Sequence, residues 1–384
     1  MRTECLLLTL CARGFIDDST ASRIAEILQG DVDWKKFLQE AIDHRVLPLA
    51  WRTLSQYFAG AVPPEIANEA SQRCAAIVRR NLLLTAKLGE IVGKLSSDGI
   101  RVLAYKGPTS AIQSYGSLSL RQFGDLDVLV DKAEYQRARE RLEAHGYCLV
   151  SDWGWECSLD DASQTVRVDL HRNVTPDSFP VRLDFDRLWE RRGYARVLNR
   201  QIPTLRAEDA LVILSIQLAK DSWGEGQLRL SKVCDIAALI RSQRDLNWEL
   251  VESTSSELGC RRMLDVGLGV TARLLGPMPA SVPIDRMASL GRARLEGHTI
   301  AKLFEARGST SIGLMRSNQF QFGIRERFRD KLYPYMLNFS VRLKPNERDF
   351  ALLRLPASLR YLYYLLRPIR LARDGLSRLF GRQK

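Results

Sequence analysis

Apolar positions divide the chain into three textures. Over residues 1 to about 98 they recur at helical spacing. In "DWKKFLQEAIDHRVLPLAWRTLSQYF", Phe37 and Ala41 lie one turn apart, and Val46 and Leu47 extend the run. "PPEIANEASQRCAAIVRRNLLLTAKLGEIVGKLSSDG" opens on prolines, which a first helical turn accepts, and closes on Ser-Ser-Asp-Gly, a stop signal. One long amphipathic helix, or two, is expected between those ends. "MRTECLLLTLCARGF" reads as a first helix rather than a signal peptide, because its short apolar stretch is broken by Glu4 and Thr9 and lacks a small-residue cleavage site.

At Ile100 the pattern becomes strand-like. "IRVLAYKG" is a short β run, "PTSAIQSYG" a helix and its end, and "DLDVLV" a second strand. "KAEYQRARERLEAHG" is a helix closing at Gly146, and "YCLVSD" and "TVRVDLHRN" are further strands. Residues 100 to about 175 therefore predict an α/β segment around a small mixed sheet. From about 206 helical periodicity returns in "AEDALVILSIQLAKDSW", "LRLSKVCDIAALIRSQ" and "CRRMLDVGLGVTARLLG", with "GPMPASVPID" as a loop. The expected class is α+β, with a mixed-sheet core between helical N-terminal and C-terminal regions. The divisions are 1–98 helical, 99–205 core, 206–300 helical and 301–384 a C-terminal extension. No internal repeat or long low-complexity segment interrupts this plan.

Composition narrows the class. At 384 residues the chain is long for one ordinary compact domain. With 45% hydrophobic and 27% charged residues it has the balance of a globular protein, and no uncharged apolar run reaches membrane-spanning length. Its 7 cysteines are scattered, with no C-x-x-C pair and no His/Cys cluster at zinc spacing, which suits a reducing, cytoplasmic setting. The net charge of +12 suits nucleic acid, anionic lipid or phosphorylated small molecules without choosing among them.

The candidate chemistry begins at "RQFGDLDVLV". Side chains alternate faces along a strand, so Asp125 and Asp127 point the same way, ~6.6 Å apart, while Leu126 points to the core. Two carboxylates that close repel unless a cation lies between them, and hard divalent ions take such oxygen ligands. Asp-apolar-Asp also occurs at strand ends as a simple cap. A third carboxylate, Asp169 in "VRVDLHRN", would complete a two-metal cradle for phosphoryl or nucleotidyl transfer. His171 falls on the same face as Asp169, as catalyst or as hydrogen-bonded structural residue. In "AYKGPTS", Lys106 and Gly107 end a strand where a helix begins, a place where backbone N–H groups attract phosphate, although an ordinary strand-to-helix turn has the same features. Arg121 could reach a phosphate or be a paired arginine.

In this order the motifs resemble the bacterial uncharacterised nucleotidyltransferase family of the DNA polymerase β-like superfamily. Lys106, Gly107, Tyr115, Arg121, Asp125, Asp127, Asp169 and His171 occupy the positions of its pattern. Outlying segments such as "AIDHRVLPLAW", "LSKVCDIAALI" and "LPASLRYLYYLLRP" also look like family segments, so the resemblance covers most of the chain. It implies transfer of a nucleoside monophosphate from an NTP, ATP by default, to an acceptor hydroxyl, with Mg²⁺ or Mn²⁺. Asp125, Asp127 and Asp169 would be the catalytic metal ligands, with Asp169 also drawing the acceptor proton. Lys106, Gly107 and Arg121 would handle the triphosphate, His171 would stand beside the nucleotide, and Lys232 would face it unless it simply pairs with Asp235 one turn on. The sequence departs from the wider superfamily in using Lys-Gly-Pro where a Gly-Ser or Gly-Gly signature is usual.

The last stretch, "LRYLYYLLRPIRLARDGLSRLFGRQK", carries seven Lys/Arg and one acid from Arg360 to Lys384. Leu366, Ile369 and Leu376 fall toward one side of a helix there. Such a basic amphipathic helix can lie on an anionic membrane at the inner face, or pack on the protein with its arginines solvated. A non-catalytic nucleotide-, RNA- or membrane-binding protein on a degenerate fold is the alternative to the enzyme. Three intact aspartates favour the enzyme. Nucleic acid is the less attractive acceptor, for want of a zinc knuckle or an RNA-binding aromatic motif.

Overall fold

Segments far apart in sequence build one seven-stranded sheet. The computed structural model describes residues 2–177, 179, 181–223, 228–283, 291–305, 314–332 and 362–364, with side chains over 314–318 left aside. The chain divides into two units, Met1–Glu326 and Arg327–Lys384. In the second, the described residues are Arg327, a helical turn over 328–332 and the segment 362–364. The basic tail with Leu366, Ile369 and Leu376 lies outside the described residues. No helix among the described residues is long and apolar enough to cross a membrane.

The first unit opens with α1 (Thr3–Cys11), α2 (Asp18–Leu28), α3 (Trp34–Asp43), α4 (Leu47–Tyr57) and α5 (Pro64–Ser97). Asp17 and Asp33 cap α2 and α3, their carboxylates accepting from the N–H groups of Thr20 and Lys36 at 2.7 and 3.0 Å. The "PPEIAN…SSDG" stretch is a single helix of 34 residues, with Pro64 in its first turn. Leu84, Leu88, Ile91, Val92 and Leu95 recur three and four apart along it and are buried against the sheet.

The sheet segment follows as β1 (Val102–Ala104), α6 (Pro108–Tyr115), β2 (Leu126–Val130), α7 (Tyr135–Ala144), β3 (Tyr147–Asp152), β4 (Glu156–Asp161), β5 (Arg167–His171), α8 (Phe185–Glu190), β6 (Gly193–Val197) and β7 (Arg200–Thr204). The strand order is β3-β4-β5-β2-β1-β7-β6. The β2–β5 and β1–β7 pairs are parallel and the others antiparallel, so the sheet is mixed, as the sequence predicts. β4, β6 and β7 were not expected. β4, "ECSLDD", is half polar because one of its faces lines the site described below, and the short β6 and β7 each carry one arginine, with Pro203 also in β7.

Helices α9 (Ala207–Trp223), α10 (Leu230–Ser242), α11 (Trp248–Leu258), α12 (Arg261–Leu275), α13 (Arg292–Leu303) and α14 (Leu314–Ile324) complete the unit. Two apolar clusters lie on the two sides of the sheet. One joins α5 to Val102, Leu126, Val128, Val130, Val168 and Leu170. The other joins Leu103 and Leu129 to the buried faces of α1–α4 and α9–α12. The N-terminal and C-terminal helices thus share a core, and the polar residues of the middle strands open toward that second side.

Candidate active site

The five residues of β2 are all buried, and their alternation decides the chemistry. Leu126, Val128 and Val130 enter the cluster under α5, which turns Asp127 to the opposite face. The strand begins at Leu126, so Asp125 stands just ahead of it rather than within it, and is half-buried. Parallel pairing with β5 sets Asp127 beside Asp169 and Leu129 beside His171, with ~4.8 Å between neighbouring strands. On the far side of β5, β4 places Ser158 opposite Asp169 and Glu156 opposite His171. Five polar side chains from three strands therefore share one patch of sheet.

Their partners differ sharply. Lys106, just past β1, donates from Nζ to Asp127 Oδ1 at 2.7 Å, and His171 Nε2 lies 3.1 Å from the same oxygen. Burial alone would raise the Asp127 carboxyl, but Lys106 and His171 outweigh it and hold Asp127 well below the usual carboxylate range. Burial opposes the Lys106 charge, and Asp127 more than restores it. His171 is lowered by burial against the pull of Asp127, so it is neutral near pH 7 and its Nε2–H is the natural donor. Its Nδ1 lies 3.2 Å from Glu156 Oε2 without an aligned hydrogen bond. Asp169 accepts a 2.6 Å hydrogen bond from Ser158 Oγ and, among the described residues, has no cation within 4 Å. Burial pushes its carboxyl up to about 6, with the Ser158 bond opposing and the charges of Asp127 and Asp125 adding. Burial likewise lifts Glu156 to about 7, with Lys220 opposing and Asp169 adding.

Cations from the helical side face this patch. Lys220, near the end of α9, lies over the Trp155 ring at 5.5 Å, and burial depresses its ionisation. Asp221 sits between Lys220 at 3.7 Å and Lys232 at 2.6 Å. Lys232 therefore pairs with Asp221, which corrects the expected Lys232–Asp235 pair. Asp235 instead turns inward, where the Arg121 Nε and Nη2 donate to it at 2.9–3.0 Å and the Tyr115 hydroxyl at 2.9 Å. Arg121 is thus bound to α10 rather than free for a phosphate.

Gly107, three residues past β1, has φ +60 and ψ −128 and opens α6 ahead of Pro108. A Cβ there would stand 3.4 Å from the Asp125 carbonyl oxygen, on a left-handed backbone that disfavours any other residue. The glycine thus lets the start of α6 pass close to the carboxylates.

A family model described as uncharacterised nucleotidyltransferase matches residues 30–276. The chain belongs to that family. This nucleotidyltransferase has an NTP as its implied substrate. No protein of curated function matches it. Two solved structures overlap it in part. One is the lincosamide antibiotic adenylyltransferase LnuA with lincomycin bound, at 16% identity and TM-score 0.31 over 40% of this chain and 94% of that one. The other is an antigenic nucleotidyltransferase-like protein from Paracoccidioides brasiliensis, at 14% identity and TM-score 0.29 over 48% and 92%. Overlaps of that quality fix neither fold nor activity.

Nucleotidyltransferases generally use divalent metals. Among the described residues no three His, Cys, Asp or Glu side chains converge as a ready-made cage. The donor chemistry nevertheless fits a hard cation. Asp127 and Asp169 are neighbours in register, Asp125 lies two residues upstream, and Asp169 carries a buried carboxyl with no cation of its own among the described residues.

Sequence reading missed Glu156, Ser158, Lys220 and Asp221. Period-two alternation in "WECSLDD", with Cys157 and Leu159 inward, signals the first two. For the other two the signal is a Lys-Asp pair at the end of an otherwise apolar helix.

Proposed function

We propose that the protein moves a nucleoside monophosphate from an NTP to an acceptor hydroxyl on a small molecule, sugar, peptide or protein, and releases pyrophosphate. The acceptor oxygen bonds to the α-phosphorus as the bond to the bridging oxygen of the leaving pyrophosphate breaks. The observation that carries this reading is the in-register pair Asp127 and Asp169, with Asp125 upstream and three lysines opposite. Asp125, Asp127 and Asp169 would hold Mg²⁺ or Mn²⁺, which when bound would offset charge on the phosphates. Lys106, Lys220 and Lys232 meet the triphosphate, and Gly107 lets it approach the start of α6. His171 orients Asp127 and Ser158 orients Asp169. Glu156, with its carboxyl near 7, takes the acceptor proton and leaves Asp169 to its place in the carboxylate row. Arg121 acts through Asp235 by fixing the segment ahead of β2 to α10. A cytoplasmic location, with the basic tail against the inner membrane face, belongs to the same reading and draws on the tail's charge.

The test uses each α-labelled NTP with Mg²⁺ and host lysate, on wild type and on Asp127→Asn. Label moving to an acceptor, or Mg²⁺-dependent pyrophosphate release, is expected in wild type and lowered at least a hundredfold in the variant. No transfer together with no Mg²⁺-dependent NTP binding by calorimetry would overturn the reading in favour of a binding protein.

A further inference from the structure

A cavity of about 510 Å³ lies away from the carboxylates, between the end of α1, the far ends of α6 and α10, and the segment after α12. Its separation from the site follows from helix geometry. α6 runs from Gly107 at the site to Tyr115 at the cavity wall, and α10 from Lys232 to Arg241, so each spans roughly 12 Å at ~1.5 Å per residue. No carboxylate or lysine of the proposed site lines it.

Three arginines do line it: Arg13, Arg52 and Arg241. No acidic residue is in the wall, and none of the three has a carboxylate within 4 Å among the described residues. Elsewhere in the unit, Arg121, Arg191 and Arg292 each meet a carboxylate. Here the guanidinium groups donate only to neutral oxygens: Arg13 to the Thr20 hydroxyl, Arg52 to the Gly14 carbonyl, and Arg241 to the carbonyls of Arg13 and Leu275. A guanidinium carries five N–H donors, so most of these donors have no acceptor among the described residues. The Arg13 Nε is buried with no partner at all among them. Burial lowers both Arg13 and Arg241, and the charge of Arg13 lowers Arg241 further. The acid whose charge acts on Arg13 and on Arg241 is Asp17, which is already engaged as the cap of α2. Gly276, at φ +85, turns the chain so closely past Arg13 that a Cβ would stand 3.1 Å from Nη1.

Three like charges gathered around a hollow, with donors unspent, are stabilised by an anion. Apart from Ser114, Tyr115 and Ser242, the rest of the wall is apolar, with Phe15, Leu120 and Met278 prominent, and the volume is that of a small-molecule site. We propose that this cavity is a second binding site for a small organic oxyanion, whose phosphate or carboxylate is held by Arg13, Arg52 and Arg241 and whose apolar body lies on Phe15, Leu120 and Met278. The proposal does not rest on the transfer reaction. It gives the molecule an anion site joined to the carboxylates by two shared helices, with Tyr115 of the wall bonded to the Asp235 that also holds Arg121.

Calorimetric titration of the full chain with phenyl phosphate, benzoate and inorganic phosphate tests it. Phenyl phosphate or benzoate is expected to bind wild type, and whichever is tighter identifies the phosphate or the carboxylate as the preferred head. Inorganic phosphate is expected to bind at least tenfold more weakly, and equal binding would overturn the role of the apolar wall. Arg52→Gln and Arg241→Gln should each weaken the organic anion at least tenfold, whereas Lys220→Met in the other site should leave it unchanged. Arg241→Lys keeps the charge and guards against a folding defect. It should keep the wild-type thermal midpoint yet bind more weakly, because an ammonium cannot grip an oxyanion through two parallel bonds. The proposal is overturned if neither organic anion binds wild type at millimolar concentration, or if binding follows Lys220→Met instead of the arginine variants.

Discussion

The two faces of β2 hold opposite kinds of order within five residues. Leu126, Val128 and Val130 on one face meet α5 and need only shape and apolarity. Asp127 on the other is equally buried, yet its environment comes from Lys106 at the end of β1 and His171 from β5. The apolar face is stabilised by many interchangeable contacts. The polar face depends on a few bonds whose partners come from 21 and 44 residues away. The comparison teaches that burial alone does not tell core from site. What differs is whether each buried group can be replaced without leaving a charge unmatched.

The largest expected effect comes from breaking the apolar face. Leu126→Ala should cost about 2–5 kcal/mol in urea-induced unfolding, since it opens a cavity in a fully buried strand. The isosteric Asp127→Asn removes no volume, yet it should cost about as much, because it leaves the Lys106 ammonium without its carboxylate, and it should also remove Mg²⁺-dependent nucleotide binding. If Asp127→Asn unfolded at the wild-type urea concentration, the faces would not differ in the way described.

A second, smaller effect is the pH dependence of the polar face. Asp169 and Glu156 have folded pKa values of about 6 and about 7, above their ordinary 3.8 and 4.5. The folded state therefore holds more protons than the unfolded chain over that interval, and stability falls as pH rises from about 4 to about 7, then levels off. A tenfold difference in proton affinity between the folded and unfolded chain is worth about 1.4 kcal/mol, so each group contributes at most about 3 kcal/mol. Thermal melts without metal should show this slope, and Asp169→Asn with Glu156→Gln should flatten it. Adding Mg²⁺ should also flatten it, with proton release, because bound carboxylates are ionised. A wild-type curve rising with pH over that interval would contradict the arrangement.

The smallest effect belongs to Tyr115→Phe. It removes one hydrogen bond to Asp235 and leaves Arg121 in place, at a cost of about 1 kcal/mol in chemical denaturation. A cost of about 3 kcal/mol or more would mean that the tyrosine, not Arg121, anchors α10.

Much of this was legible in the sequence because it is local. The α5 helix, the α6 start after Gly107 and the β2 alternation follow from spacing within a dozen residues. So does the prediction that Leu126 is buried. What was not legible depends on strand order. Nothing near Glu156 announces that β4 lies beside β5, and nothing near Lys232 announces that its partner is Asp221 rather than Asp235. Arg121 reads from its neighbours either as a phosphate ligand or as a paired arginine, and only the packing of α10 against α6 reveals its carboxylate partner. The unexpected strands are those in which polar residues serve the site or arginines and a proline interrupt the apolar pattern.

β2 is flanked by β1, which precedes it in the chain, and by β5, which follows it only after a helix and a hairpin. A chain still emerging from the ribosome therefore exposes the free edge of an apolar strand until residue 171 is out. Until then it carries one half of its carboxylate pair. Any truncation ahead of β5 would leave that edge open to pairing with another copy, so such fragments are expected in the insoluble fraction. The lysines of the proposed triphosphate contact arrive later still, because Lys220 and Lys232 follow β5. On the proposed reading, a chain with its full set of lysines is one whose β2 and β5 are already paired.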